Sequence, residues 1–385
     1  MTSRPGAPRD AVIVGGGIVG CLTAYLLAKE GLKVTVLEAD SVGSHASGFA
    51  FGEMGDLEGA GIPHPLLDFS LWCSGRHRTL AEELKEVSGV AEQFRAVKRL
   101  TLALDQPSMT HLKQGLEWQR HVKGYNPQWL EPQAVLNIEP RVNPQCLGGV
   151  YVENSSSVEP YRYTLAAAQA AEKLGVEMVM RRVTGLLAEG DRCRGVTIGQ
   201  DSGQERLEAD VVVLALGPWT GLASQWCRLD IPVIPLKGQM LRLQHPGEPL
   251  RVSLHYGHSY AASKPDGLIW AGTTEERVGF NEDTTLEARD KIMGELLNIA
   301  PFLAEAELVR QTACLRPWSA DGMPIVCPAP GWRNLYLGTG GGRKGILWST
   351  GMCHGLVDLI LRGRTDVPGV AHLDIARFQR EQGRV

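Results

Sequence analysis

Ala11-Val12-Ile13-Val14-Gly15-Gly16-Gly17-Ile18-Val19-Gly20 decides how the rest of the chain is read. The apolar run Ala11 to Val14, rich in β-branched residues, has the pattern of a parallel strand buried on both faces. It runs without a spacer into G-x-G-x-x-G, and Leu22, Tyr25, Leu26 and Leu27 then carry a helical pattern that ends near Gly31. Lys33-Val34-Thr35-Val36-Leu37-Glu38 follows as a second strand closing on a carboxylate. Strand, glycines, helix, strand and acid in this order specify a dinucleotide site. Gly15 permits the tight turn, Gly17 lets a pyrophosphate approach the backbone, and Gly20 lets helix and strand pack closely. The helix N-terminus at Ile18 and Val19 offers unpaired N–H groups and the positive end of its dipole. Glu38, eighteen residues beyond Gly20, stands with Ala39 where an acid accepts hydrogen bonds from ribose hydroxyls. A plain βα turn with no ligand needs neither three glycines nor a terminal acid.

The chain of 385 residues is long enough for two domains, or for one large domain with an insertion. A net charge of −4 with both signs well mixed suggests neither a nucleic acid nor an anionic membrane as partner. Residues 1–10 read as a polar, proline-bearing tail and not as a charged-then-apolar leader. No apolar stretch reaches the roughly 20 residues that span a bilayer, so a cytoplasmic protein is expected. The eight cysteines are scattered without a C-x-x-C pair, the pattern of reduced, buried thiols and not of a zinc site or disulfide framework. No metal is expected.

Behind Glu38 lies Val42-Gly43-Ser44-His45-Ala46-Ser47-Gly48, a loop of small and hydroxyl-bearing residues that a nicotinamide dehydrogenase does not need. Here the chain resembles the D-amino-acid-oxidase-like family of FAD enzymes, which includes glycine oxidase, sarcosine oxidase and D-amino-acid dehydrogenases. Members carry a similar acid-x(4)-GS-x-x-SG loop. The resemblance implies that Ser44, His45, Ala46, Ser47 and Gly48 wrap the pyrophosphate of FAD. It also implies a Rossmann-like α/β FAD-binding domain carrying an inserted antiparallel-sheet (α+β) substrate domain.

Further along, residues 69–87 have helical spacing, residues 99–104 read as a strand and residues 109–121 as a helix. Proline-punctuated segments follow at Pro127, Pro132, Pro140 and Pro144, which break the nucleotide fold. Residues 149–152 read as a strand. Pro160 opens a long alanine-rich helix, where its missing N–H is harmless. A short strand at 176–180 leads to Val183, whose backbone, by the resemblance, pairs with the adenine. Strands then turn at Asp201-Ser202-Gly203, and the buried strand 209–216 ends at Gly217, a second approach to the nucleotide. Residues 231–313 alternate strands with polar turns and one helix at 286–299, an antiparallel substrate sheet. The expected division assigns residues 1–88, 148–230 and 314–385 to the FAD-binding domain. Residues 89–147 and 231–313 form the substrate domain.

Two C-terminal motifs extend the resemblance over nearly the whole chain. Leu315-Arg316-Pro317-Trp318-Ser319-Ala320-Asp321-Gly322-Met323-Pro324 matches L-R-P-x-(S/T)-x-D-G-x-P, and Gly340-Gly341-Gly342-Arg343-Lys344-Gly345-Ile346 matches a loop that opens a helix. The resemblance implies that the second loop lies against the flavin pyrimidine ring, where its N–H groups and helix dipole favour the anionic reduced flavin. It makes Arg316 the clamp on a substrate carboxylate, since a buried guanidinium offers a bidentate fork. A structural arginine paired with Asp321 or a backbone carbonyl is the competing reading. Lys344 matches a carboxylate-holding lysine of sarcosine oxidases, or else an exposed lysine at a helix start. Tyr260 aligns with a substrate-contacting tyrosine, with His255, Tyr256 and His258 as neighbours able to replace it.

The chain departs from the family pattern in three places. Gly341 stands where many members have histidine, and Trp270 stands near the lysine that helps oxygen react in sarcosine oxidases. Cys314 and His45 fall near positions of covalent FAD attachment in some relatives; non-covalent FAD is the expectation. The implied activity is oxidation of a small amino acid or secondary amine of D-amino acid, glycine or sarcosine type. Hydride passes from the α-carbon to flavin N5 with no general base required, and the resulting imine hydrolyses. Oxygen, a quinone or an electron-transfer partner accepts the electrons, and the chain acts alone or in a homo- or hetero-oligomer. A 2-hydroxy-acid dehydrogenase and a flavin-binding electron-relay subunit are the alternatives. An NAD-dependent dehydrogenase fits only the first forty residues.

Overall fold

The structure, a computed structural model, describes residues 8–55, 57, 65–91, 93–199 and 205–381. Most of the expected N-terminal tail, and the turn at 201–203, lie outside the described residues. The opening strand Asp10–Val14 sits inside a six-stranded sheet. Its parallel neighbours are Lys33–Glu38 on one side and Val211–Leu214 on the other. Glu177–Met180 extends the sheet beyond the first, Leu335–Thr339 beyond the second, and Ile325–Pro328 closes that edge antiparallel. Both faces of this sheet are covered, which is why its central strands read as unbroken apolar runs.

On one face pack four helices: Ile18–Lys29, Leu67–Ser88, Pro160–Lys173 and Gly345–Arg362. Tyr25, Phe69, Tyr163 and Met352 meet in their shared core. The first helix is apolar all round because its neighbours enclose it, so it lacks the polar face of a surface helix. The alanine run of the third helix admits this close approach. Its start is fixed by Glu159, whose carboxylate accepts the Arg162 N–H at 2.7 Å. On the opposite face a small sheet of Val183–Glu189, Arg192–Ile198 and Glu205–Glu208 packs through Cys193, Val196 and Ile198.

The second layer is a nine-stranded, mostly antiparallel sheet. Its order is Glu307–Ser319, Val233–Gln244, Ile269–Gly272, Ser259–Ser263, Ser253–Tyr256, Arg95–Ala103, Gly148–Ser157 and Glu53–Met54, with Gln128–Leu130 pairing to Gly148–Ser157. Strand Gly148–Ser157, expected among the nucleotide-binding segments, lies in this sheet. The helix Leu286–Ile299 covers one face through Ile292, Leu296 and Ile299. The expected helix at 109–121 begins earlier, at Gln106, because Asp105 and Ser108 form a capping box that the hydrophobic pattern alone does not reveal. All eight cysteines are free and buried, and no helix among the described residues is long and apolar enough to cross a membrane.

Candidate active site

The glycine turn is built by backbone contacts that leave no room for a side chain. Gly15 has φ +114°, and a Cβ there would lie 2.3 Å from the Ala215 carbonyl oxygen. A Cβ on Gly20 would lie 1.8 Å from the Gly15 carbonyl oxygen. The Gly16 N–H donates to Glu38 Oε2 at 2.6 Å and the Asp40 N–H to Oε1 at 2.8 Å, so the carboxylate braces the turn from behind. The helix starts at Ile18 with Gly17 as N-cap and no side-chain cap. Among the described residues, Ser47 Oγ accepts the Ile18 N–H at 3.0 Å.

Gly17, Ile18 and Val19 open onto a cavity of about 330 Å³ between the two sheets. Ala46, Ser47 and Gly217 line it as well. A second helix N-terminus faces the same space: Gly345–Arg362 follows a turn at Gly342–Lys344, and its N-cap Lys344 provides no side-chain cap. Gly341, Gly342, Arg343, Lys344, Gly345 and Ile346 all line this side. Gly15, Gly20, Glu38, Ala39, Val183 and Gly340 do not line it, and Gly48 lines a different cavity. Ser44 turns to a different cavity. His45 is held by Asp40 at 2.8 Å and Glu282 at 3.4 Å and meets the edge of Trp219. Two uncapped helix starts and a glycine cradle converging on one cavity fit a dinucleotide whose pyrophosphate needs N–H donors.

The opposite wall is the nine-stranded sheet. Arg316 lies across from Leu236, two residues from Gly238. A Cβ on Gly238 would lie 2.2 Å from the Arg316 guanidinium, so this glycine is the floor on which the side chain rests. Arg316 Nη2 donates to Thr273 Oγ1 at 2.8 Å and Nη1 to the Thr274 carbonyl at 3.2 Å. No carboxylate among the described residues forms an ion pair with it. Asp321 is taken instead by Arg377, Nε to Oδ2 at 2.7 Å. Tyr260 packs on Phe51 with ring centres 4.1 Å apart, and its hydroxyl reaches Met240 Sδ at 3.0 Å. Burial pushes the Tyr260 phenol up to about 12 against the opposing pull of Arg316, so it stays a donor. Lys344 Nζ donates to the Gly55 carbonyl at 3.1 Å. Arg343 forks onto Glu275, one arm at 2.6 Å, and lies over Trp318. Cys314 lines the cavity as a thiol whose pKa burial raises.

The sequence reading missed the charged end of this wall. Glu53, its side chain buried, places Oε2 2.8 Å from His255 Nε2, 3.0 Å from Ser253 Oγ and 3.8 Å from Arg99. Its Oε1 has no hydrogen-bond partner among the described residues. Burial works to raise its pKa, but His255, Arg99 and Lys264 outweigh it and hold the carboxyl at about 2. Lys264 donates to the Phe51 carbonyl at 2.5 Å, and burial brings its ammonium down to about 8. One signal was present: Glu53 is a lone acid in the otherwise small and apolar Phe49-Ala50-Phe51-Gly52-Glu53-Met54. Trp270 does not face this cavity; its indole N–H donates to Asp266 at 2.8 Å on the other side of the sheet.

A two-sheet fold with a dinucleotide cradle facing an arginine-bearing antiparallel sheet defines a flavin-dependent oxidoreductase. The family described as DAO, FAD dependent oxidoreductase, matches residues 10–359, and the chain belongs to it. The glycine oxidase of Pseudomonas aeruginosa is 30% identical over 91% of this chain and 94% of its own. The hydrogen cyanide synthase subunit HcnC of Pseudomonas protegens is 28% identical over 88% of this chain and 89% of its own. The crystal structure of glycine oxidase from Geobacillus kaustophilus superposes with a TM-score of 0.87 at 25% identity, covering 97% of this chain and 98% of that one. The protein is an FAD-dependent oxidoreductase.

Proposed function

We propose that the protein oxidises a small α-amino acid or N-substituted glycine, with glycine, sarcosine and small D-amino acids as the substrate class. The observation that carries this reading is Arg316: a guanidinium in the cavity wall, with no carboxylate paired to it among the described residues, opposite the loop 340–345. Such a group demands an anion, and its fork matches a carboxylate. In this reading the six-stranded sheet and its helices hold non-covalent FAD, and the nine-stranded sheet holds the substrate. Bound FAD supplies the acceptor for the α-hydrogen and its electron pair. The chain does the rest. Arg316 and the protonated Tyr260 hydroxyl fix the carboxylate, Gly238 and Gly272 leave the space these side chains occupy, and the start of Gly345–Arg362 favours negative charge on its side of the cavity. The glycine oxidase relative supports the amino-acid class.

Anaerobic flavin bleaching with glycine, sarcosine, D-alanine, proline and 2-hydroxy acids tests the reading, and reoxidation by air or by a quinone then identifies the acceptor. Arg316→Lys should retain flavin and raise the apparent dissociation constant for the amino acid by roughly 30- to 1,000-fold, the loss of a charge-assisted fork. Bleaching by 2-hydroxy acids alone, or an unchanged constant in Arg316→Lys, would refute it.

A further inference from the structure

A second cavity, of about 560 Å³, lies between the loop at 43–49, the start of helix Pro160–Lys173 and the substrate sheet. Five cationic side chains line it: Arg95, Arg162, Arg242, Arg310 and Lys264. Among the described residues two carboxylates, Glu159 and Asp266, line it with them. Glu159 is occupied in capping the helix, and Asp266 accepts the Leu268 N–H and the Trp270 indole N–H. None of the five cations makes an ion pair among the described residues. Arg95 and Arg162 are anchored instead by the carbonyls of Ser263 and Ala91, at 3.1 and 2.7 Å, which orients their forks without neutralising them.

Arg242 and Arg310 stand directly opposite each other in the antiparallel pair of strands Val233–Gln244 and Glu307–Ser319. Like charges in that relation destabilise a sheet. Arg242 lies over the Trp270 ring, 4.1 Å from its centre. Its Nε is buried with no partner among the described residues, and Ser44 Oγ in the same wall is in the same condition. Buried donors left unmade cost stability, so their convergence with two facing arginines that have no ion pair among the described residues points to a missing acceptor.

We propose that this cavity binds a small phosphate-bearing ligand, at a site separate from the amino-acid cavity. Phosphate suits it better than a single carboxylate. A phosphomonoester carries about −1.5 to −2 charges and three acceptor oxygens, enough to stand between Arg242 and Arg310 and to take the Ser44 hydroxyl. Planar forked donors are the side chains that recognise such a group. The site also touches the catalytic cavity. Phe49 lines both, and Lys264 reaches from this one to the Phe51 carbonyl beside Tyr260.

The test uses FAD-loaded protein prepared without phosphate, titrated calorimetrically at low ionic strength with inorganic phosphate, with AMP, and with succinate as a carboxylate control. AMP and phosphate should bind saturably and raise the melting temperature, succinate at equal ionic strength should not, and Arg242→Gln or Arg310→Gln should weaken binding by about tenfold or more. Without phosphate, Arg310→Gln should melt at or above wild type, since it removes a like-charge pair. That readout separates a ligand site from a structural arginine. Absence of saturable binding by phosphate and AMP would overturn the proposal. So would equal binding of succinate, or binding that survives both substitutions with flavin retained.

Discussion

The two walls of the catalytic cavity are made by different means. The nucleotide wall is backbone: glycines at 15, 17 and 20, two uncapped helix starts, and one carboxylate bracing the turn. The wall facing it, which we propose holds the substrate, is side chain: Arg316, Tyr260, Glu53 and His255, each from a different strand, held by one another and by hydroxyls and carbonyls. The first tolerates no added atom at Gly15 or Gly20, where a Cβ would meet backbone. The second tolerates repacking, but its charges must be satisfied together. A backbone site is fixed by contiguous residues, whereas a side-chain site is fixed by which strands become neighbours.

The harshest test of the backbone wall is Gly20→Ala. The new Cβ would meet the Gly15 carbonyl, which is itself part of the turn, so either the helix or the strand must move. A loss of roughly 4 kcal/mol or more is expected, with flavin lost alongside. Gly17→Ala meets only Ser47 Oγ at 3.1 Å, a side chain able to yield, and should keep the fold. Thermal melts and flavin content of the two purified variants check this. Equal behaviour would mean that the turn is less tightly built than its contacts imply.

Gly238→Ala probes the other wall without removing a charged group. Its Cβ would fall on the far end of the Arg316 side chain, which can swing aside, so the protein should fold and keep its flavin. A displaced guanidinium no longer meets a carboxylate correctly, and apparent affinity for the amino acid should drop by roughly 10- to 100-fold, about 1.4 to 2.8 kcal/mol. Stopped-flow flavin reduction against substrate concentration reads this directly. Full affinity with intact flavin would detach Arg316 from substrate binding.

This contrast also explains what could be read from the sequence. The turn from Gly15 to Gly20 and its partner Glu38 were legible because their geometry is local and only glycine permits it. The loop at 43–48 was legible as a whole but not atom by atom. Ala46 and Ser47 reach the cavity, while Ser44 faces away and His45 is drawn off by Asp40. Glu53 was not legible as a site residue, because its partners arrive through pairings no local pattern encodes. Glu53 pairs across to Ser157, whose strand pairs with Arg95–Ala103, which in turn runs parallel to Ser253–Tyr256 and so brings His255 within reach. Arg242 facing Arg310 was invisible for the same reason, since the two lie on strands 68 residues apart in sequence.

Glu53→Gln measures what that network contributes to stability. The folded-state pKa of Glu53 is about 2, lowered from its usual 4.5. The contribution is therefore fully present above pH 4.5 and is lost as pH falls through about 2. A shift of that size corresponds to about 3 kcal/mol as an upper figure, and a realistic loss in Glu53→Gln at pH 7 is about 2 kcal/mol. Glutamine keeps an acceptor for His255 and Ser253 but removes the negative charge that faces Arg99 and Lys264, so the loss is electrostatic and not one of packing. Urea unfolding of wild type and variant at pH 7, 4.5 and 3 should show two curves separated at neutral pH and converging as acid protonates the wild-type carboxyl. A gap that stays constant down to pH 3 would mean that Glu53 is not held ionised by its neighbours. The side-chain wall would then rest on packing, as the backbone wall does.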